Sequence, residues 1–116
     1  MRFVHNLSKE ARQRIVEVML QNRTAKELAE ELGLSEAAIS KFRRGRIHPS
    51  DETVIKIMEI AEEDELSQIV EVIVDDLMDA VRDLMTDERA KDRVLQHMKS
   101  MLELEEREKT LLLHLV

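Results

Sequence analysis

The sequence predicts an all-α protein, and three observations carry that expectation. Only two glycines and one proline occur in 116 residues, so the Asn-Gly and Asp-Gly turns that close β-hairpins are missing. Apolar residues recur at helical spacing along most of the chain rather than in strict alternation. The hydrophobic fraction is 43%, yet aromatic residues make up only 2%, so any core is built from Leu, Ile, Val, Met and Ala. A chain of this length holds one compact domain, or a small domain with an assembly element.

Met1 to Leu7 shows no periodicity and reads as a frayed terminus, with Arg2 and His5 within reach of a phosphate. Ser8 can cap a first helix running to about Gln21, with Ala11, Ile15, Val18 and Met19 on its inner face and Leu7 as a staple before it. Arg12 and Arg14 fall near or on the outer face.

The stretch Thr24 to Ser50 is the most informative. Thr24 with Glu27 is a capping box that starts a helix at Ala25, and Leu28, Ala29 and Leu32 share one face. Gly33 ends that helix in a sharp turn, because glycine takes φ > 0 without a Cβ penalty. Ser35 caps a second short helix whose inward face is Ala38, Ile39 and Phe42, and Gly45 ends it. Its outward face carries Glu36, Ala37, Ser40, Lys41, Arg43 and Arg44, with Arg46 just beyond. A short helix, small at its start and cationic on its exposed side, suits a DNA major groove; a pair of helices with merely solvated charges is the plain alternative.

After Pro49, which forbids helical continuation of the segment before it, Ser50 caps a further helix with Asp51 and Glu52 in its first turn. Val54, Ile57, Met58 and Ala61 form its core face. The acidic run Glu62 to Glu65 suits the start of the next helix, where carboxylates favour the helix dipole. Leu66 to Met85 has apolar residues on more than one stripe: Ile69, Ile73, Leu77, Ala80 and Leu84 form one seam, and Val70, Val74, Val81 and Met85 extend a second. Such a helix is expected to lie between its own domain and a partner. Thr86 is placed as the cap of a last helix. In it the charged run E-L-E-E-R-E-K interrupts the apolar pattern, before Leu111, Leu112, Leu113, Leu115 and Val116 close the chain. So much terminal apolar surface is expected to pack on a second subunit.

The segment Ile39 to Ile57, I-S-K-F-R-R-G-R-I-H-P-S-D-E-T-V-I-K-I, together with the glycine turn and small Ala29 before it, resembles the helix-turn-helix of the lambda-repressor-like (Cro/cI, XRE-type) DNA-binding family. The likeness covers roughly residues 7 to 63. It implies a four- to five-helix DNA-binding domain at 1–63, followed by long helices at 64–116 that form an acidic dimerisation region. By family geometry Glu36, Ala37 and Lys41 face base edges with Ser40 nearby. Thr24, Ser35, Arg43, Arg44 and Arg46 hold phosphates, and His48 is a further phosphate donor. Family members often have an acid at the position of Arg43, paired to a base in the first helix. Arg43 therefore touches phosphate or makes a reversed pair with an acid such as Glu17. The dimer interface is expected at Ile69, Ile73, Leu77, Val81, Leu84, Leu112 and Leu115.

The formal net charge of −7 is an average over unlike halves. Residues 1–50 hold 10 Lys/Arg and 6 Asp/Glu, a net +4, which leaves −11 for residues 51–116. That asymmetry suits a nucleic-acid-facing half and a half that faces something else. With no cysteine, disulfides and thiolate metal sites are excluded. The four histidines are scattered, and neither a metalloprotease motif nor a phosphate-cradling glycine loop occurs. The reading is a homodimeric transcriptional regulator, probing double-stranded DNA at a palindromic operator in the cytoplasm. No membrane span, cofactor, metal, small-molecule ligand or enzymatic activity is indicated. A protein-interaction module, such as an antitoxin or coactivator, is the competing class.

Overall fold

The computed structural model describes residues 1–115, all α-helical apart from turns. Its helices are α1 (Arg2–His5), α2 (Lys9–Leu20), α3 (Ala25–Leu32), α4 (Glu36–Arg43), α5 (Asp51–Ile60), α6 (Glu63–Leu84) and α7 (Glu88–Leu115). They form two compact units, Met1–Met78 and the segment from Asp79 onward, with α6 running from the first into the second.

Each helix of the first unit starts where a side chain can satisfy an orphan backbone donor. Ser8 accepts from the Ala11 N–H, Ser35 from Ala38 and Ser50 from Thr53. Thr24 and Glu27 form the expected capping box. The α3 and α4 ends are built alike. Gly33 and Gly45 both take φ 68°, and both are followed by paired returning bonds. Leu34 N–H donates to Ala29 and Gly33 N–H to Glu30; Arg46 N–H donates to Lys41 and Gly45 N–H to Phe42. This is the Schellman arrangement, which turns the chain tightly enough to set α3 against α4. A Cβ at either glycine meets nothing closer than 3.4 Å, so backbone conformation rather than space demands glycine there.

The core contains Val4, Leu7, Ile15, Met19, Leu28, Leu32, Ile39, Phe42, Val54 and Ile57, which apart from Val4 are residues that the sequence places inward. Two of its members come from farther along the chain. Ile69 and Ile73 on α6 are 0% and 5% exposed and belong to this same core, so they are not an outer seam awaiting a second subunit. The physical reason lies in their neighbours at helical spacing. Glu65, Ile69, Ile73 and Asp76 follow one another at intervals of four, four and three on one helix face. The acid at one end is bound by Arg23 and Asn22, and that at the other by the backbone N–H and hydroxyl of Ser8. The first part of α6 is thus fastened at both ends, which turns the intervening isoleucines inward. The first unit accordingly runs past the expected boundary at residue 63. Leu77 is half-buried against the core.

Other expectations are corrected as well. The first residues are helical, and Val4 is fully buried. Arg12 is buried rather than outward, donating to the carbonyls of Leu7, Pro49 and Val4 and to the Asp51 carboxylate. Its five N–H groups find four protein acceptors, the condition on which a guanidinium can leave water. Thr86 does not cap α7. Its hydroxyl donates to the Asp83 carbonyl, and the Asp87 carboxylate accepts from the Arg89 N–H in the capping position. Helix α7 runs unbroken through the charged run 103–109 to Leu115, so that run interrupts only the apolar pattern, as expected. No residue of α7 is buried.

A candidate nucleic-acid interface

Helix α4 presents two chemically distinct sides. Ile39 and Phe42 enter the core, while Glu36, Ala37 and Lys41 stand exposed and Ser40 is half-exposed. Arg43, Arg44, Arg46 and His48 follow, all exposed, through the last turn and the Gly45 loop. The sequence-predicted base-contact and phosphate-contact residues of this stretch are therefore all at least partly accessible. Among the described residues, the side chains of Lys41, Arg43 and Arg46 have no hydrogen-bonded or ionic partner. Cations left free in this way can neutralise an external polyanion without first breaking an internal pair.

Two members are engaged locally. The Arg44 Nη2 donates to the Ser40 hydroxyl at 2.8 Å, one turn back along the helix, which draws this guanidinium over the middle of α4. Thr24 is occupied by its capping box, its hydroxyl donating to Glu27 at 3.0 Å, so its remaining contribution to a phosphate is the α3 N-terminus itself. The Ser35 hydroxyl accepts from the Ala38 N–H at 3.0 Å and keeps its own proton to donate. No ion pair joins Arg43 to Glu17; the two line a shallow cleft together with Leu20 and Gln21.

Three residues that sequence reasoning passed over hold this surface in place. Gln13 on α2 donates from Nε2 to the Arg43 carbonyl at 2.8 Å. It thereby satisfies a carbonyl at the end of α4 and lies against the Gly45 turn. Lys56 donates to the Leu32 carbonyl at 3.1 Å and does the same for α3. Arg23, between α2 and α3, reaches Glu31 and Glu65. Burial alone would push the Glu65 carboxyl up, but the Arg23, Glu62 and Asn22 hydrogen bonds outweigh it and hold the group below 4.5. The Arg23 guanidinium is raised, chiefly by the same Glu65 bond. At the start of α5 His5 and Arg12 both bind Asp51 and hold its carboxyl down. A Gln at i and a carbonyl thirty residues away leave no pattern in one sequence. The Arg23–Glu65 pair carried at most a hint, in the acid at the third position of α6.

Residues 13–62 match the family model described as helix-turn-helix. This segment is a helix-turn-helix domain of the lambda-repressor-like, DNA-binding XRE type. The match spans the end-capped α3–α4 pair, the later part of α2 and all of α5. The C-terminal half has no family match. No curated protein and no solved structure matches the chain. Among the described residues no helix is long and apolar enough to cross a membrane, and no cluster of acids and histidines is arranged to hold a metal ion.

Proposed function

We propose that the protein is a sequence-specific transcriptional regulator, repressor-like in action, that binds a palindromic operator as a homodimer through its C-terminal helices. The observation that supports this reading best is the set of exposed, unpartnered cations, Lys41 and Arg43 on α4 and Arg46 just beyond it. They are carried by a domain of a DNA-binding family. In it Glu36, Ala37, Ser40 and Lys41 read base edges. Glu36 accepts from a cytosine amino group and Lys41 donates to guanine. Arg43, Arg44, Arg46 and His48 hold phosphates, as do the helix N-termini at Thr24 and Ser35.

One such domain covers few phosphates, and a two-fold pair doubles both the neutralised charge and the bases read. Surfaces open to a second copy are the outer stripe of α6, where Val70, Val74 and Leu84 are exposed and Val81 half-exposed, and α7 with Leu112 and Leu115. Selection of bound fragments from random double-stranded DNA tests the reading. A two-fold consensus is expected, and Lys41→Ala should relax one base position in each half while costing about 1–3 kcal/mol on the cognate site. Arg43→Ala should weaken all sequences alike. Recovery of no consensus, with binding insensitive to salt, would overturn it.

A further inference from the structure

Helix α7 is 28 residues long and buries none of them. At 1.5 Å per residue it extends about 40 Å, and a helix without packing has little to hold it in water. One stripe along it has the heptad intervals of a two-helix seam: Leu95, Met98, Leu102, Glu105, Lys109 and Leu112, spaced three, four, three, four and three. Leu102 and Leu112 are 69% and 63% exposed. Glu105 and Lys109 stand 4.0 Å apart, one turn from each other, so the acid and the base occupy one line with the leucines. The stripe is therefore apolar at both ends and carries one charge of each sign between.

We infer that α7 pairs with α7 of a second copy of this chain, and that the two run antiparallel. Charge decides the occupant and the direction. In a parallel pair, equivalent positions face each other, so Glu105 meets Glu105 and Lys109 meets Lys109, two like-charge layers inside a seam. Turned end to end about a point near Arg107, the same stripe places Leu102 opposite the partner's Leu112 and Glu105 opposite the partner's Lys109. Each contact then occurs twice by symmetry, as an isologous interface requires. The Leu102–Leu112 part of the stripe is thus complementary to itself in one direction only. A foreign helix would need the same alternation in reverse, which a second copy supplies without further assumption.

The inference rests on the homodimer of the proposed function but not on its DNA chemistry, and the test separates the two. The chain contains no cysteine, so disulfides report only the residues introduced. Full-length Leu102→Cys and Leu112→Cys proteins, mixed and oxidised, should give a covalent 102–112 dimer, whereas Leu102→Cys alone should stay uncrosslinked. Glu105→Lys should raise the dimer dissociation constant about tenfold or more, by setting like charges opposite one another. Glu105→Lys with Lys109→Glu should restore it. All four sites are exposed on α7, so the first unit should keep its unfolding transition in every variant. Self-crosslinking of Leu102→Cys, or a Glu105→Lys chain as dimeric as the parent, overturns the antiparallel pairing. Retention on DNA is measured in parallel. A chain that crosslinks as expected yet ignores DNA sinks the regulator reading alone; one that binds DNA without the 102–112 crosslink sinks the α7 pairing alone.

Discussion

The two ends of the chain treat charge and apolar surface in opposite ways. In the first unit charged groups go inside: Arg12 and Glu65 are buried, the latter 1% exposed, and each is surrounded by partners. Along α7 the leucines stay outside, with Leu113 and Leu115 more than three-quarters exposed. A small unit that can afford buried ions is one whose aliphatic core is already closed, since each ion costs several kcal/mol to desolvate before its partners repay it. A helix that leaves its leucines in water is one whose packing comes from elsewhere. The first unit closes its core within one chain, whereas α7 buries none of its own residues and would gain packing from the pairing inferred above.

The sharpest way to break this comparison is to remove the buried cation. Arg12→Ala orphans the carbonyls of Leu7, Pro49 and Val4 at once and should cost about 3–5 kcal/mol of unfolding free energy, on the scale of removing one partner of a buried ionic network. Urea denaturation of the full chain measures it. An equivalent insult to the other end, Leu113→Ala, should leave the urea midpoint of the first unit where it was. Equal losses at both sites would erase the distinction.

Truncation sharpens it further. A chain ending at residue 63 lacks Glu65, Ile69, Ile73 and Asp76, and so loses two core side chains together with the acids that bind Arg23 and Ser8. Burying an isoleucine is worth roughly 1.5–3 kcal/mol, so residues 1–63 should be largely unfolded, while residues 1–78 should give a cooperative melt. Cooperative thermal unfolding of the shorter piece would show that α6 is an accessory to the domain rather than part of it.

Most of the first unit was legible in the sequence, and the reasons are local. Capping residues at Ser8, Thr24, Ser35 and Ser50, the glycines at 33 and 45, and the aliphatic spacing each act within about four residues, a range that one sequence displays directly. What escaped were contacts over distance. Arg12 looked solvated because periodicity alone ranks a guanidinium as exterior; only the carbonyls of Val4 and Pro49, brought together by the fold, make the interior habitable for it. Ile69 and Ile73 fit an outside seam equally well on sequence, because α6 is apolar on two sides and periodicity does not say which side meets the domain first. Asp76 and Glu65 answer that question, through partners more than forty residues away. For the interface, the residue types on α4 were readable from the start, while the support given by Gln13 was not.

Acid should act on the first unit through Glu65. Its folded-state carboxyl lies below the ordinary 4.5, so its contribution is complete above that pH and is lost as pH falls through the folded value. Asp51 is depressed in the same direction, from 3.8, and adds to the loss at lower pH still. Glu65→Gln keeps the shape but not the charge, and should cost about 1–3 kcal/mol at pH 7, leaving the Arg23 guanidinium short of its anion. The variant should also lose stability less steeply between pH 5 and pH 3 than the parent. Parallel acid-unfolding curves would mean that the Arg23–Glu65 contact adds nothing to folding.

Gln13 offers a smaller test on the functional surface. Its amide satisfies the Arg43 carbonyl, and the residue is half-exposed, so water can replace part of what is lost. Gln13→Ala should cost about 1 kcal/mol of stability. If the turn bearing Arg43 and Arg46 loosens, DNA affinity should fall without any change of consensus, because in the proposed complex the bases are read farther forward on α4. A changed consensus would place Gln13 in direct contact with the DNA.

The smallest effect is expected where an ion pair looks best on paper. Arg82 and Asp79 approach within 2.7 Å, as close as Arg12 and Asp51, yet both side chains are about 70% exposed, 69% and 74%. Water already solvates both groups, and holding two side chains together offsets most of the Coulomb gain. The pair should therefore contribute about 0.2–0.5 kcal/mol, screened further by salt. Arg82→Ala should shift the urea midpoint no more than the scatter between preparations, whereas Glu65→Gln, at a comparable contact on the buried side of the same helix, should shift it clearly. Burial, and not distance, ranks the two. Should Arg82→Ala prove as damaging as Glu65→Gln, Arg82 must be covered in the assembled protein, and the association surface would have to extend over the end of α6.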